Sequence, residues 1–230
     1  MNPLTNSRCK IILFVLALLL IWQSIKFLPE LHVLQRSTSE SSSGSVVPFK
    51  PVQVSVYYEA LCPDSRSFFV KHLLPTVNKA PALVNVTLVP YGKAKTDKRA
   101  GSFLFSCQHG PNECDANKIH ACAVSKITEP ILLIKYITCM ISDNMVPELI
   151  GQQCASEFSV DWSQILECAN SIMGSTLLSE YGQMTDSLNP KMTFVPTVLL
   201  NQKYGNQAAI LKDFFKEICA ALNDKPNECN

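Results

Sequence analysis

Cys62, Pro63, Asp64 and Ser65 form the run CPDS, which holds a thiol and a hydroxyl three positions apart. A cysteine thiolate is the nucleophile in disulfide exchange, so the setting of the sulfur decides whether it reacts. Residues 52–58, VQVSVYY, alternate and are β-branched or aromatic, so they read as a strand. Beyond Ser65, the residues Phe68, Phe69, Leu73, Leu74 and Val77 fall at helical spacing as far as Pro75 allows. Cys62 is thereby placed where a strand turns into a helix. Pro63 suits the first helical turn, because its missing N–H would be unpaired there anyway. The first N–H groups of such a helix point at the sulfur, and the helix dipole favours negative charge, so both stabilise thiolate over thiol. The blander reading is a buried structural cysteine that closes the strand.

The remaining cysteines set the context. The chain has ten, which points to an oxidising compartment. Cys9 precedes an apolar run and is either removed with it or left in the cytosol, where palmitoylation is open to it. The others are Cys62, Cys107, Cys114, Cys122, Cys139, Cys154, Cys168, Cys219 and Cys229, an odd set, so at least one thiol stays unpaired within the chain. Cys62 lies far from the rest, which crowd the C-terminal half as disulfide candidates. The expectation is that Cys62 alone is free. Cys219 with Cys229 is the easiest pair to draw; the other pairings stay open. Cys107, Cys114 and Cys122, with His109 and His120, invite a zinc reading, but the spacing lacks a paired CxxC knuckle and the compartment favours disulfides. The expectation is no metal and no cofactor.

Residues 1–10 carry Arg8 and Lys10 and no acid, and residues 11–22, IILFVLALLLIW, are unbroken apolar sequence. This is the form of a signal peptide, short for a membrane span unless counted on to Leu28. Residues 1–28 are thus either a cleaved signal or a signal anchor that fixes the chain to a membrane through 11–28. Both deliver the rest to the secretory lumen. Residues 29–47, with the run STSESSSGS, read as a flexible linker. The folded domain is expected over 48–230. The net charge of +1 gives no sign of a nucleic-acid partner.

Along that domain, residues 84–89 (VNVTLV) read as a second strand, whose Asn85 begins a glycosylation sequon. Residues 93–99 (KAKTDKR) read as a solvated basic loop. Residues 113–144 are helical in pattern, broken at Pro130. Residues 162–183 are helical again, weakened by Gly174 and Gly182. Residues 193–200 (TFVPTVLL) read as a buried strand, and its proline suggests a cis Val195–Pro196 bond at the strand's start. Residues 207–222 close with an amphipathic helix. The order implies an α/β fold with a mainly helical insertion. No serine-hydrolase elbow, P-loop or dinucleotide motif is present.

Taken together, these residues resemble the gamma-interferon-inducible lysosomal thiol reductase family. Residues 57–63, YYEALCP, are similar to that family's lead-in to its redox motif, and residues 88–92, LVPYG, to its second-strand signature. CQHGPNEC from Cys107 to Cys114, followed by Asn117 and Cys122, is similar to its most distinctive segment. Cys168, Gly174, Thr185, the LNP run ending at Pro190 and the VPT run at 195–197 follow in the family's order. The resemblance implies a disulfide-stabilised thioredoxin-like fold and reduction of protein disulfides in the endo-lysosomal lumen. It puts Cys62 on the attacking cysteine and Pro196 on the cis-proline beside the redox site.

The departure is Ser65, where the family's CxxC motif has its second cysteine. A hydroxyl cannot resolve a mixed disulfide, so attack by Cys62 survives and release needs an outside thiol. Ser65 can still donate a hydrogen bond to the thiolate. Three readings follow: a monothiol oxidoreductase using protein or peptide substrates and a small thiol reductant, a non-enzymatic binder of extended or unfolded chains, and a secreted structural domain stapled by disulfides.

Overall fold

The computed structural model describes residues 50–99, 101–143 and 145–229, together with Leu16, Leu18, Leu19, Leu20 and Trp22. The chain divides into two units, Met1–Pro48 and Phe49–Asn230. The described residues of the first unit are helical. The rest of the expected leader over 1–28, Cys9 included, and the expected linker over 29–47 lie outside the described residues. Among the described residues no helix is long and apolar enough to cross a membrane.

The second unit is built on strand β1 (Val52–Tyr58), whose alternating valines are buried. It pairs in parallel with β2 (Val84–Pro90), from Val52 against Val84 to Tyr58 against Pro90. On its other edge it pairs antiparallel with β5 (Thr197–Leu200), Tyr57 facing Thr197. The sheet order β2-β1-β5 leaves β1 central, paired on both sides.

The helix after β1 runs further than the spacing suggested. Helix α1 (Pro63–Phe68) passes through a π-helical stretch, Phe69–Leu73, into α2 (Leu74–Lys79). Pro75 lacks an N–H and its ring crowds the carbonyl four residues back, which normally ends a helix. Here the chain widens instead: the Leu74 N–H reaches back to the Phe69 carbonyl, and the helix continues past the proline.

Residues 93–99 do not form a loop alone. Strand β3 (Lys95–Arg99) pairs antiparallel with β4 (Ser102–Ser106) in a separate hairpin. Its charged, mostly exposed side chains carry no apolar alternation, which is why the sequence pattern hid it.

The helical insertion contains α3 (Pro111–Lys126), α4 (Pro130–Ser142), α5 (Pro147–Phe158), α6 (Trp162–Ala169) and α7 (Ile172–Asp186). The first three each begin with a proline, whose absent donor costs nothing at that position. The helix expected over 162–183 is two. Ser171 caps the second by accepting from the Met173 N–H, and Gly174 lets the two approach: a Cβ there would lie 2.7 Å from the Cys168 carbonyl oxygen. The final helix is also two, α8 (Gln207–Lys212) and α9 (Phe214–Ala221), because Asp213 caps a fresh start by accepting from the Lys216 N–H. The strand expected over 193–200 shortens to β5.

One apolar core joins these layers. Val54 and Val56 of β1 share it with Phe69, Leu73, Ile119, Ile137, Met140 and Phe214. Helices α3 and α7 pack on β2. They bring the insertion to the carboxyl end of β1, where the chain turns toward Cys62.

Candidate functional site

Cys62 is the N-cap of α1, in extended backbone conformation, and its carbonyl accepts from the Arg66 N–H at 3.0 Å. It is the free cysteine of the described residues and is 6 % exposed, while Pro63 and Asp64 beside it are exposed. Its sulfur lies 3.9 Å from the Val195 carbonyl oxygen, to which the thiol donates. The Val195–Pro196 bond is cis, as is Asn189–Pro190. Pro196 itself is buried at the entry to β5. The structure therefore brings Cys62 to the turn that carries Pro196, from opposite ends of the sequence.

Ser65 is fully buried, and its hydroxyl oxygen accepts from the Glu59 N–H at 3.4 Å. The hydrogen bond from Ser65 to the Cys62 sulfur anticipated from sequence is absent among the described residues. The hydroxyl is tied instead to the start of its own turn.

The other eight cysteines form four bridges: Cys107–Cys114, Cys122–Cys168, Cys139–Cys154 and Cys219–Cys229. Asn85 is exposed on β2, its side-chain amide donating to Gln53 Oε1 at 2.9 Å.

Sequence reasoning missed the group that holds the Cys62 turn in place. Helix α3 presents Glu113, Asn117 and His120 at intervals of one and two turns, all fully buried. Each meets one of three successive residues just before Cys62. His120 Nδ1 lies 3.1 Å from the Tyr58 hydroxyl, and Asn117 Oδ1 accepts from the Ala60 N–H at 2.9 Å. Glu113 reaches Glu59 through His109. The His109 backbone N–H donates to Glu113 Oε1 at 3.0 Å, and its Nδ1 lies 2.6 Å from Glu113 Oε2 and 3.4 Å from Glu59 Oε2. Glu59 Oε1 in turn accepts from the Lys93 N–H at 2.7 Å. The available signal was polar residues at helical spacing on an alanine-rich helix, but their contact with residues 58–60 depends on the tertiary fold.

Burial dominates the electrostatics. It pushes the Glu59 carboxyl above its usual range, aided by Glu113 and opposed by the Lys93 N–H and by His109. It pushes His120 down to about 3, so this imidazole stays neutral in the folded protein. Gly92, at φ +60°, makes room for Glu59: a Cβ there would fall 2.1 Å from Glu59 Cγ.

Comparison with known proteins agrees with this geometry. The family profile Gamma interferon inducible lysosomal thiol reductase (GILT) matches residues 53–158. A gamma-interferon-inducible lysosomal thiol reductase-like protein of Anopheles gambiae is 35 % identical over 195 residues, covering 77 % of this chain and 80 % of the relative. The Mus musculus gamma-interferon-inducible lysosomal thiol reductase is 35 % identical, covering 79 % and 77 %. Among solved structures, BdbD from Bacillus subtilis superposes with a TM-score of 0.52 at 14 % identity, covering 74 % of this chain and 87 % of that one. DsbA of Chlamydia trachomatis gives 0.51 at 14 %, covering 74 % and 84 %. At that identity they speak for the fold alone, which is thioredoxin-like with a helical insertion. With relatives this similar over most of their length, the chain belongs to the gamma-interferon-inducible lysosomal thiol reductase family of thiol–disulfide oxidoreductases.

Proposed function

We propose that this protein exchanges disulfides with protein substrates through Cys62 alone, in the secretory or endo-lysosomal lumen. The observation that carries the reading is a free cysteine at a helix start, beside the Val195 carbonyl, with a buried serine one helical turn on. The Cys62 thiolate attacks one sulfur of a substrate disulfide. A mixed disulfide forms, and the other substrate sulfur leaves as a thiolate that takes a proton. Ser65 has no sulfur with which to attack this bond. A small external thiol attacks the Cys62 sulfur and releases the reduced substrate. A second small thiol then frees Cys62 and leaves as the oxidised dimer. Two small thiols are oxidised for each substrate disulfide reduced. Four structural bridges and a lysosomal family support the luminal location.

The test is turnover of a protein disulfide with and without added glutathione. Turnover that requires the small thiol and vanishes in Cys62→Ser supports the reading. Mixed disulfides that form but never turn over, even with glutathione, would favour a binder of extended chains that uses the same turn.

A further inference from the structure

The geometry points to a divalent-cation site of the zinc class formed by Glu59, His109 and Glu113, directly behind the redox turn. One donor atom from each lies within 4.8 Å of the others. Both glutamates are fully buried, and each has one carboxylate oxygen fixed by a backbone donor: Glu59 by the Lys93 N–H, Glu113 by the His109 N–H. Each sends its second oxygen toward the same ring nitrogen, His109 Nδ1. That is how outer contacts orient metal ligands. The second oxygen of Glu59 is buried and accepts no hydrogen bond. The His109 Nδ1 hydrogen is committed to Glu113 at 2.6 Å, which leaves Glu59 Oε2 aimed into the cluster without a donor.

Charge and size both suit a dication. Two buried carboxylates outweigh one imidazole, and an ion of charge two balances them. Zinc binds such nitrogen and oxygen donors at about 2.0–2.2 Å, which sets ligand-to-ligand edges of about 3.4 Å in a tetrahedron. The Glu59 Oε2 to His109 Nδ1 distance is 3.4 Å. The 2.6 Å contact to Glu113 is a hydrogen bond whose proton the ion replaces, so that side opens by less than about 1 Å. The His109 side chain is 31 % exposed, giving the ion a way in and leaving a fourth position to water. The Cys107–Cys114 bridge closes the loop bearing His109 and Glu113, and the Glu59 N–H holds Ser65. An ion here clamps the family's CQHGPNEC segment to the Cys62 turn without using sulfur.

The test is a titration of the chelator-stripped full-length protein with zinc chloride, read by calorimetry and by thermal unfolding. One zinc per chain is expected, with a raised midpoint. Affinity is expected to fall more than about a hundredfold in His109→Ala and in Glu113→Gln, beyond what loss of an outer contact does. It is expected to persist in Cys62→Ser, which separates this site from capture by the free thiol. Should Glu113→Gln fail to fold, His109→Ala, on a loop and partly exposed, carries the comparison. Absence of stoichiometric zinc, zinc retained in His109→Ala, or zinc lost in Cys62→Ser each overturns the proposal.

Discussion

The turn at residues 59–65 and the helical insertion use sulfur in opposite ways. The insertion is held covalently: Cys122–Cys168 and Cys139–Cys154 close within it, and Cys107–Cys114 ties its first helix to the loop that leads into it. The turn has one sulfur and no bridge; Asn117 of α3 accepts from its Ala60 N–H, His109 on the loop before α3 pairs with its Glu59, and His120 of α3 meets Tyr58 just ahead of it. The stapled region supplies the polar side chains, and the unstapled region keeps the thiol. A rigid support can thus hold a free cysteine without consuming it, provided that the contacts to its turn are polar and buried, where each lost partner is expensive.

The sharpest way to break this contrast is to give the turn a second sulfur. Ser65→Cys should raise disulfide reductase turnover measured without small thiol by at least about a hundredfold, because an intramolecular resolving thiol replaces a bimolecular step. Adding Cys62→Ser to that variant should abolish the gain. A Ser65→Cys protein that folds, bridges Cys62 to the new thiol and still reduces nothing would mean that the turn no longer catalyses.

Removing staples tests the other side. The Cys122–Cys168 bridge spans 46 residues and Cys107–Cys114 spans 7. Loop closure predicts a loss of about 4 kcal/mol for the paired serine variant of the first and about 2 kcal/mol for the second, read by denaturant unfolding. Equal losses would show that the bridges act by something other than loop length.

Acid should act through His120. Its folded value of about 3 lies below the ordinary 6.5, so the stability of the neutral, buried ring is present above pH 6.5 and is lost as pH falls toward 3. At pH 4.5 this costs about 2–3 kcal/mol relative to neutral pH. Glu59, raised by burial, works in the other direction, since the folded state takes up its proton first. His120→Gln should therefore flatten the fall between pH 6.5 and 4.5 in chemical denaturation. An unchanged slope would remove the histidine from the account.

The smallest effect is expected at Asn117. Asn117→Ala removes a buried acceptor from the Ala60 N–H and should cost about 1–3 kcal/mol while slowing alkylation or exchange at Cys62. A stability loss with no change at the thiol would make α3 a packing element only.

Much of this architecture could be read from residue types. Alternation marked β1 and β2, and the odd cysteine count with Cys62 standing apart gave a physical reason to look there. What stayed hidden depends on contacts distant in sequence. Strand β3 of the hairpin is charged and mostly exposed, so it has no apolar period to read, and its partner β4 is a run of only five residues. The breaks at Ser171 and Asp213 are caps, which single residues make without disturbing the helical pattern around them. Helix α5 went unnoticed behind Pro147, although a proline at a helix start is a permissive signal. Glu59 looked like one residue of a family motif; only the fold shows it meeting His109 and Glu113.

Gly92 carries a genetic consequence. Its backbone forms the wall against which the Glu59 side chain rests, and it takes a conformation that other residues rarely adopt. A missense change there, even to alanine, would evict a carboxylate from a different strand end without altering any group that reacts. Such an allele would look silent by every chemical criterion applied to its own position. Its defect would surface at the cysteine three residues beyond the displaced glutamate.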